Sequence, residues 1–479
     1  MKIRTVFIVS LFLVMYQTGI AQNTIAGNQF TLQQCIETGL ANNLIVFQSG
    51  MQMQNSKIAM NQAKLNLLPD INGSASQNFS HGRSIDPYSN SPVTQGVSSS
   101  NFNLNSGVIL FNGFSLQNTI KQYSLAYEAS KMEWQQAKDN LTISIILEYL
   151  QVLSSGEQLE QVKNTVTYSE KEVERLTALN KEGAIRPSDL SDFKGQYAGE
   201  QLSIINAQTS LETAKITLCQ LMNIPYNKDI TLEKIEPGSF TTKYDDTPDK
   251  IYQTALQQFA VVKATDLRTK SAEKALKVAR GQLFPTLRFG VNVSTNYSSV
   301  AFQSQYLNTV YGPTSDSANV NNIKYPVYKF RDNFTTLSKI SYRDQLNNNL
   351  YTVYGFSLNI PIFNNFVQRD RIKQAKITLK SNEFVAKTTR TQLSQSIDQA
   401  YIYMVSASDS YKILIDQAEA YKESFRAAEV RFNQGVGTSL EYLTAKNNFD
   451  KANFSLIAAK YDYVLRTKVL DYYQGKKLW

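Results

Sequence analysis

FNGFSLQNTIKQ at 111–122 and FNNFVQRDRIKQ at 363–374 open and close alike, 252 positions apart. The offset holds far beyond them. Leu141, Ile145, Tyr149 and Val152 fall on Leu393, Ile397, Tyr401 and Met404, Gly183 on Gly435, Asp189 on Glu441, Lys194 on Lys446 and Leu218 on Leu470. More than a hundred residues align without a gap, so the chain is an internal duplication. Upstream the offset falls to 216, where Leu68-Pro69-Asp70 meets Phe284-Pro285-Thr286, so the second copy carries 36 extra residues. A chain that writes one unit twice must build its architecture from two equivalent parts.

Each part holds the same elements in the same order. Helical stretches at 30–68 and 248–284 come first, followed by segments of alternating polarity. In TLRFGVNVSTNY, 286–297, Leu287, Phe289, Val291 and Val293 share one face and Arg288, Gly290, Asn292 and Ser294 the other. Period two with one apolar face reads as a strand. The predicted strand pairs are 70–80 with 101–111, and 286–297 with 351–363, each pair joined by a polar loop. In the first copy Phe102, Leu104, Val108 and Leu110 are expected to share the apolar face. The long loop Ser299–Leu350 is assigned to the outside, with Pro313 and Pro326 among its loop residues.

Very long helices follow. Phe114–Glu182 contains no proline and a single glycine, and Phe366–Gln434 contains neither. At 1.5 Å per residue such a run is on the order of 100 Å long, and it needs partners along its length. The predicted helices are 113–181 and 364–433, closed by tip turns at 183–187 and 435–438 and by return helices 188–222 and 439–474. The first repeat therefore covers 22–225, a connecting segment 226–247, and the second repeat 248–479. None of the eleven prolines falls inside a predicted long helix, as the cost of an interior proline requires.

The N-terminus, MKIRTVFIVSLFLVMYQTGIAQ, reads as a signal peptide over 1–21, with a basic start at Lys2 and Arg4, an apolar run and a small-x-small cleavage site ending at Ala21. Its apolar run is shorter than the ~20 residues a membrane helix needs. An exported chain of this kind enters a membrane by strands, and four strands cannot close a barrel: an open edge in lipid leaves backbone groups unpaired. Two copies would supply eight strands and a filled interior, three would supply twelve and a lumen. The polar strand faces favour three. A soluble coiled-coil protein with a small sheet is the competing architecture.

The formal net charge is +9, with the basic residues scattered, which speaks against a nucleic-acid footprint. The only histidine, His81, lies in a polar loop, and Cys35 and Cys219 are far apart, so no metal site, cofactor site or catalytic set is expected. Whether the two cysteines pair is open at this stage.

Export signal, duplication, strand pairs opened by a proline, Phe-Asn-x-Phe at strand-to-helix junctions and glycine turns followed by an acid at the helix tips together resemble the TolC family of outer-membrane efflux proteins. The resemblance covers nearly the whole mature chain. It implies an α+β membrane channel: a homotrimer with a 12-stranded β-barrel in the bacterial outer membrane, four strands per chain, continued by a long α-helical tunnel in the periplasm. It implies a passive exit duct for small molecules that docks with a periplasmic adaptor and an inner-membrane pump. A protein-secretion channel, or an adhesive surface protein without channel activity, are the alternatives. By the same resemblance Glu441 lines the periplasmic mouth, and Thr444 stands where the family has a second acid. Asp189 matches an aspartate that locks the closed mouth, while the lock's tyrosine and arginine are replaced by Phe432 and Gly437, with Arg431 or Arg186 as substitutes. Gly183, Ala184, Pro187, Gly435 and Val436 are the expected adaptor contacts. Read without the family, Asp189 and Glu441 simply favour helix N-termini, where the dipole welcomes anions.

Overall fold

The computed structural model describes residues 29–86, 90–234 and 246–476. The signal peptide over 1–21, Pro87 and Pro237 lie outside the described residues. In chain order the elements are β1 (Gln29–Phe30), α1 (Leu32–Asn42), α2 (Leu44–Leu65), β2 (Asp70–Ser80), β3 (Ser84–Ile85), β4 (Pro92–Val93), β5 (Val97–Phe111) and α3 (Ser115–Lys181). They continue with α4 (Pro187–Met222), β6 (Thr231–Leu232), α5 (Pro248–Gln258), α6 (Ala260–Gly281), β7 (Thr286–Ser298), β8 (Phe302–Val320) and β9 (Ile323–Lys339). The last are α7 (Tyr342–Asn348), β10 (Tyr351–Asn359), α8 (Val367–Asn433) and α9 (Ser439–Tyr473). The fold is α+β, and α3 and α8 each run for 67 residues. The chain forms two compact units: one (Ser56–Tyr127 and Arg268–Asn382) holds β2–β5, β7–β10, α7 and the adjoining ends of α2, α3, α6 and α8, and the other holds the remaining helices with β1 and β6.

In the strand unit four strands form one antiparallel sheet in the order β10-β7-β5-β2. Its register sorts the side chains by chemistry. Phe289 lies opposite Val108 and Phe356, Val293 opposite Leu104, and Val291 opposite Tyr354, all on one face. On the other face Asn292 lies between Asn105 and Val353, and Asn105 opposite Asn72, while Asn101 faces Asn296 and Ser76. Asn292 donates to Asn103 at 2.8 Å across that polar face. Gly107, Gly290 and Gly355 stand in one row, and the space above Gly107 is taken by the guanidinium of Arg288, which reaches Asp70 at 3.3 Å. The apolar face is open, with Phe356 71% and Tyr354 75% exposed.

Three expectations are corrected here. The strict alternation that carried Leu104 and Val108 on to Leu110 is broken: a bulge between Ile109 and Phe111 inserts Leu110 as an extra, unpaired residue, and Phe111 stands opposite Leu287. The predicted strand 351–363 ends at Asn359, ahead of Pro361, which cannot donate to the ladder. The segment 299–350 is not a plain loop. Strands β8 and β9 form a long hairpin turned by Asn321 and Asn322, whose φ values of 53° and 64° fit a two-residue primed turn. Pro313 and Pro326 lie within these strands, both of them edges. The short helix α7 then covers the end of β7, where the buried Gln345 exchanges hydrogen bonds with the backbone of Ser298.

In the helical unit the duplicated apolar residues do equivalent work. Leu141, Ile145, Tyr149 and Val152 pack with Cys35, Ile36, Leu218 and Met222. Leu393, Ile397 and Met404 pack with Ile251, Ala255 and Leu470. The predicted helices 30–68 and 248–284 are each two helices. Asn43 leaves the helical region and accepts from the amides of Ile45 and Val46, capping α2, and Phe259 makes the corresponding break between α5 and α6. Cys35 and Cys219 are both free, buried in the same core. Burial pushes the Cys35 thiol up to about 12, with Cys219 adding to it.

Candidate functional site: the helix tips

Each long helix ends in the same way. Gly183 and Gly435 sit at φ 74° and 73°, the left-handed region that stops a helix at little cost only for glycine. The amides of Ala184 and Val436 then reach back to the carbonyls of Leu179 and Arg431, at 2.9 and 3.0 Å. Gly437 folds under the end of α8, where a Cβ would come within 3.0 Å of the Phe432 nitrogen. Pro187 opens α4 at its first turn, where a missing amide hydrogen costs nothing. Gly183, Ala184, Pro187, Gly435 and Val436 are all exposed.

The two tips lie together over a cleft of about 1170 Å³ lined by Arg175, Asp189, Phe432, Gly437, Thr438 and Ser439. Asp189, in the first turn of α4, accepts a hydrogen bond from the buried Ser439 hydroxyl at 2.9 Å. Together with the Arg175 guanidinium, which donates to Asn433 at 2.8 Å, this bond ties the tip of the first copy to that of the second. Arg431 does not take up Asp189. It stands 3.7 Å from Glu441, and Arg186 occupies the N-cap position of α4. Glu441 closes a capping box: its amide donates to the Thr438 hydroxyl at 3.2 Å, and the Thr438 amide donates to its carboxylate at 3.4 Å. Within one chain Glu441 is thus a half-exposed cap, and Thr444 is exposed one turn on.

Phe432 is where the aromatic chemistry collects. Its ring lies 5.4 Å from Phe193 and 5.2 Å from Tyr442, and Phe425 lies 5.4 Å from Tyr442. With Leu176 and Leu190 these rings make a small core just behind the turns. Tyr442 donates to the Tyr168 hydroxyl at 3.4 Å, and Tyr168 donates to Glu429. Burial raises both phenols, Tyr168 to about 12 and Tyr442 further, so both are neutral donors at any physiological pH. Sequence reading missed Ser439, Tyr442 and Phe193. The Thr438-Ser-Leu-Glu441 string is a capping-box signature and marks the helix start where Ser439 stands; the contacts of Phe193 with Phe432 and Tyr442 join residues 239 and 249 positions apart and leave no local signal.

The sequence profile of the family described as Outer membrane efflux protein matches residues 36–223 and 251–472, the two copies of the duplication. Outer membrane efflux protein BepC of Brucella suis is 20% identical over 428 residues, covering 88% of this chain and 80% of that one. Toxin and drug export protein A of Aggregatibacter actinomycetemcomitans is 20% identical over 453 residues, covering 93% of this chain and 87% of its own length. The solved structure of CusC, described for its transmembrane channel formation, superposes with a TM-score of 0.75 at 16% identity over 93% of this chain and 92% of CusC. The fold is common to both.

Proposed function

Since the chain belongs to the outer membrane efflux protein family, we propose that it is a passive exit duct, a homotrimer whose 12-stranded barrel crosses the outer membrane and whose helices continue as a periplasmic tunnel. The observation that carries this reading is the two-faced sheet. Its apolar face, with Phe289, Val291 and Val293, suits lipid, and its Asn, Ser and Gly face suits water. The tips dock a periplasmic adaptor and, through it, an inner-membrane pump, which supplies the energy. The cargo is small molecules rather than proteins.

The helix tips form the periplasmic mouth. Three copies of Glu441 make an acidic ring that favours cations, and Thr444 leaves it without a second ring. The Asp189–Ser439 bond holds the tip pair in its closed arrangement, in place of the tyrosine and arginine that Phe432 and Gly437 replace. Gly183, Ala184, Pro187, Gly435 and Val436 present the turns to the adaptor.

Conductance of the detergent-purified protein in a planar lipid bilayer tests this, with Glu441→Ala and Ser439→Ala beside the parent. The expected result is discrete, cation-preferring openings, weaker selectivity in Glu441→Ala, and more frequent opening in Ser439→Ala. Openings indifferent to both changes would refute the gate. A stable assembly in which even Ser439→Ala stays silent would refute the duct.

A further inference from the structure

Away from the tips, the helical unit contains a second cavity of about 620 Å³, walled by α3, α4 and α9. Behind it lies a buried charge network. Lys446, with a side chain only 5% exposed, donates to Glu200 at 2.6 Å and to Asp450 at 2.9 Å. Gln196 also donates to the same Glu200 oxygen, Oε1, at 2.9 Å, and Thr165 donates to Asp450 at 3.1 Å. Two carboxylates therefore face one buried ammonium, and the network carries a net charge of −1. Lys451, which is exposed, also lines the cavity but forms no ion pair with Glu200 or Asp450. The imbalance has a definite location: Glu200 is 7% exposed, it lines the cavity, and its second oxygen, Oε2, is buried with no hydrogen-bond partner among the described residues. A buried carboxylate oxygen left without a donor is costly.

The cavity floor points the same way. Gly195 and Gly199 stand one turn apart in the middle of α4, each costing about 1 kcal/mol relative to alanine. Among the described residues nothing lies within 4 Å of where their Cβ atoms would be, so no described neighbour demands them. The duplication does not repeat the feature either: at the 252 offset Gly195, Gly199 and Glu200 meet Asn447, Lys451 and Ala452. The glycine floor and Glu200 therefore have no counterpart in the second copy.

We propose that this cavity is a binding site for a small organic cation bearing a protonated amine. The ammonium donates to Glu200 Oε2 and neutralises the network, and its hydrocarbon body lies over the glycine floor against Val162, Ala207 and Phe454. The volume is that of a small-molecule site. A bare divalent ion fits poorly: it wants six or more oxygens, whereas here one free carboxylate oxygen sits beside the Lys446 ammonium. Among the described residues no cluster of three or more His, Cys, Asp or Glu is placed to hold a metal.

The test is calorimetric titration of the purified full chain with benzylammonium chloride, with benzyl alcohol as the neutral isostere. It reads binding, not transport, so its failure is separate from that of the duct. Saturable binding of benzylammonium alone is expected, weakened at least tenfold in Glu200→Gln. Gly199→Leu, which fills the floor and leaves the charge network intact, is expected to weaken it as much, and it carries the result if Glu200→Gln does not fold. Equal binding of the alcohol, parental affinity in both variants, or no saturable binding to the parent would each overturn the site. The last would mean that water or a neighbouring protomer's cation serves the orphan oxygen.

Discussion

Cys35 has a titration that differs between the folded and unfolded chain. In the folded core its pKa is raised from 9.0 to about 12, chiefly by burial. A raised folded value means that the unfolded chain releases the proton first. The contribution to stability is therefore whole below about pH 9 and is lost as the pH climbs from there towards 12. Urea unfolding across this range should show the parent weakening with pH more steeply than Cys35→Ser, whose hydroxyl does not titrate there. Buried tyrosines weaken both proteins alike, so only the difference between the two slopes counts. Equal slopes would place the thiol in contact with water. At the same scale, Glu441 and Asp189 were legible as first-turn acids from the sequence, because dipole and capping rules act over three or four residues. The Ser439 partner of Asp189 and the Glu200–Lys446 pair were not legible. They join residues 250 and 246 positions apart, and no local pattern announces such a contact.

Among the elements, the helices were the most legible part. Absence of proline, glycine turns and apolar periodicity all act locally and agree with one another, so α3 and α8 end within a few residues of the positions the sequence indicates. The same rules separate two kinds of glycine. At Gly435, with φ 73°, a side chain is strained, whereas Gly195 lies in the α4 interior with open space around it. Gly435→Ala should therefore destabilise the tip by about 1–2 kcal/mol, and Gly195→Ala should stabilise α4 by about 1 kcal/mol. Hydrogen exchange along the two helices measures both, and changes of the same sign would contradict the turn geometry. The β8–β9 hairpin was hidden for a physical reason. The pairing is irregular after Phe302, Tyr306 and Pro313, and the shift after Tyr306 inserts one residue in β8 and reverses its parity, so the alternation that marks a strand is interrupted. Its ends are nonetheless adjacent, since the Ile340 amide donates to the Ala301 carbonyl at 3.1 Å. Excising Phe302–Lys339 and closing the gap with a short glycine linker should leave assembly and single-channel conductance at parental levels. Loss of assembly would make the hairpin part of the subunit contact.

For the whole molecule, the decisive quantity is the number of strands around the ring. Four per chain leave β2 and β10 as edges, and an edge in lipid exposes backbone groups at several kcal/mol each. Pairing β10 of one copy with β2 of the next removes both edges once the ring closes. Eight strands would enclose an interior that side chains must fill, and the Asn, Ser and Gly face of this sheet is too small and too polar to fill it. Twelve strands leave that face in water, so native mass spectrometry of the detergent-extracted protein should give three times the mass of one chain. The faces themselves can be tested at neighbouring positions of β7. Val291 lies on the apolar face between Ser106 and Tyr354, and Asn292 on the polar face between Asn105 and Val353. A lysine on the lipid face near the bilayer midplane costs about 2–4 kcal/mol, whereas a lysine in a water-filled lumen costs little and opposes cations. Val291→Lys should therefore reduce the fraction of assembled trimer recovered from membranes. Asn292→Lys should assemble like the parent and shift the channel's preference towards anions. If the two substitutions exchanged these phenotypes, the sheet would be inside out; if both assembled with unchanged selectivity, it would line no lumen.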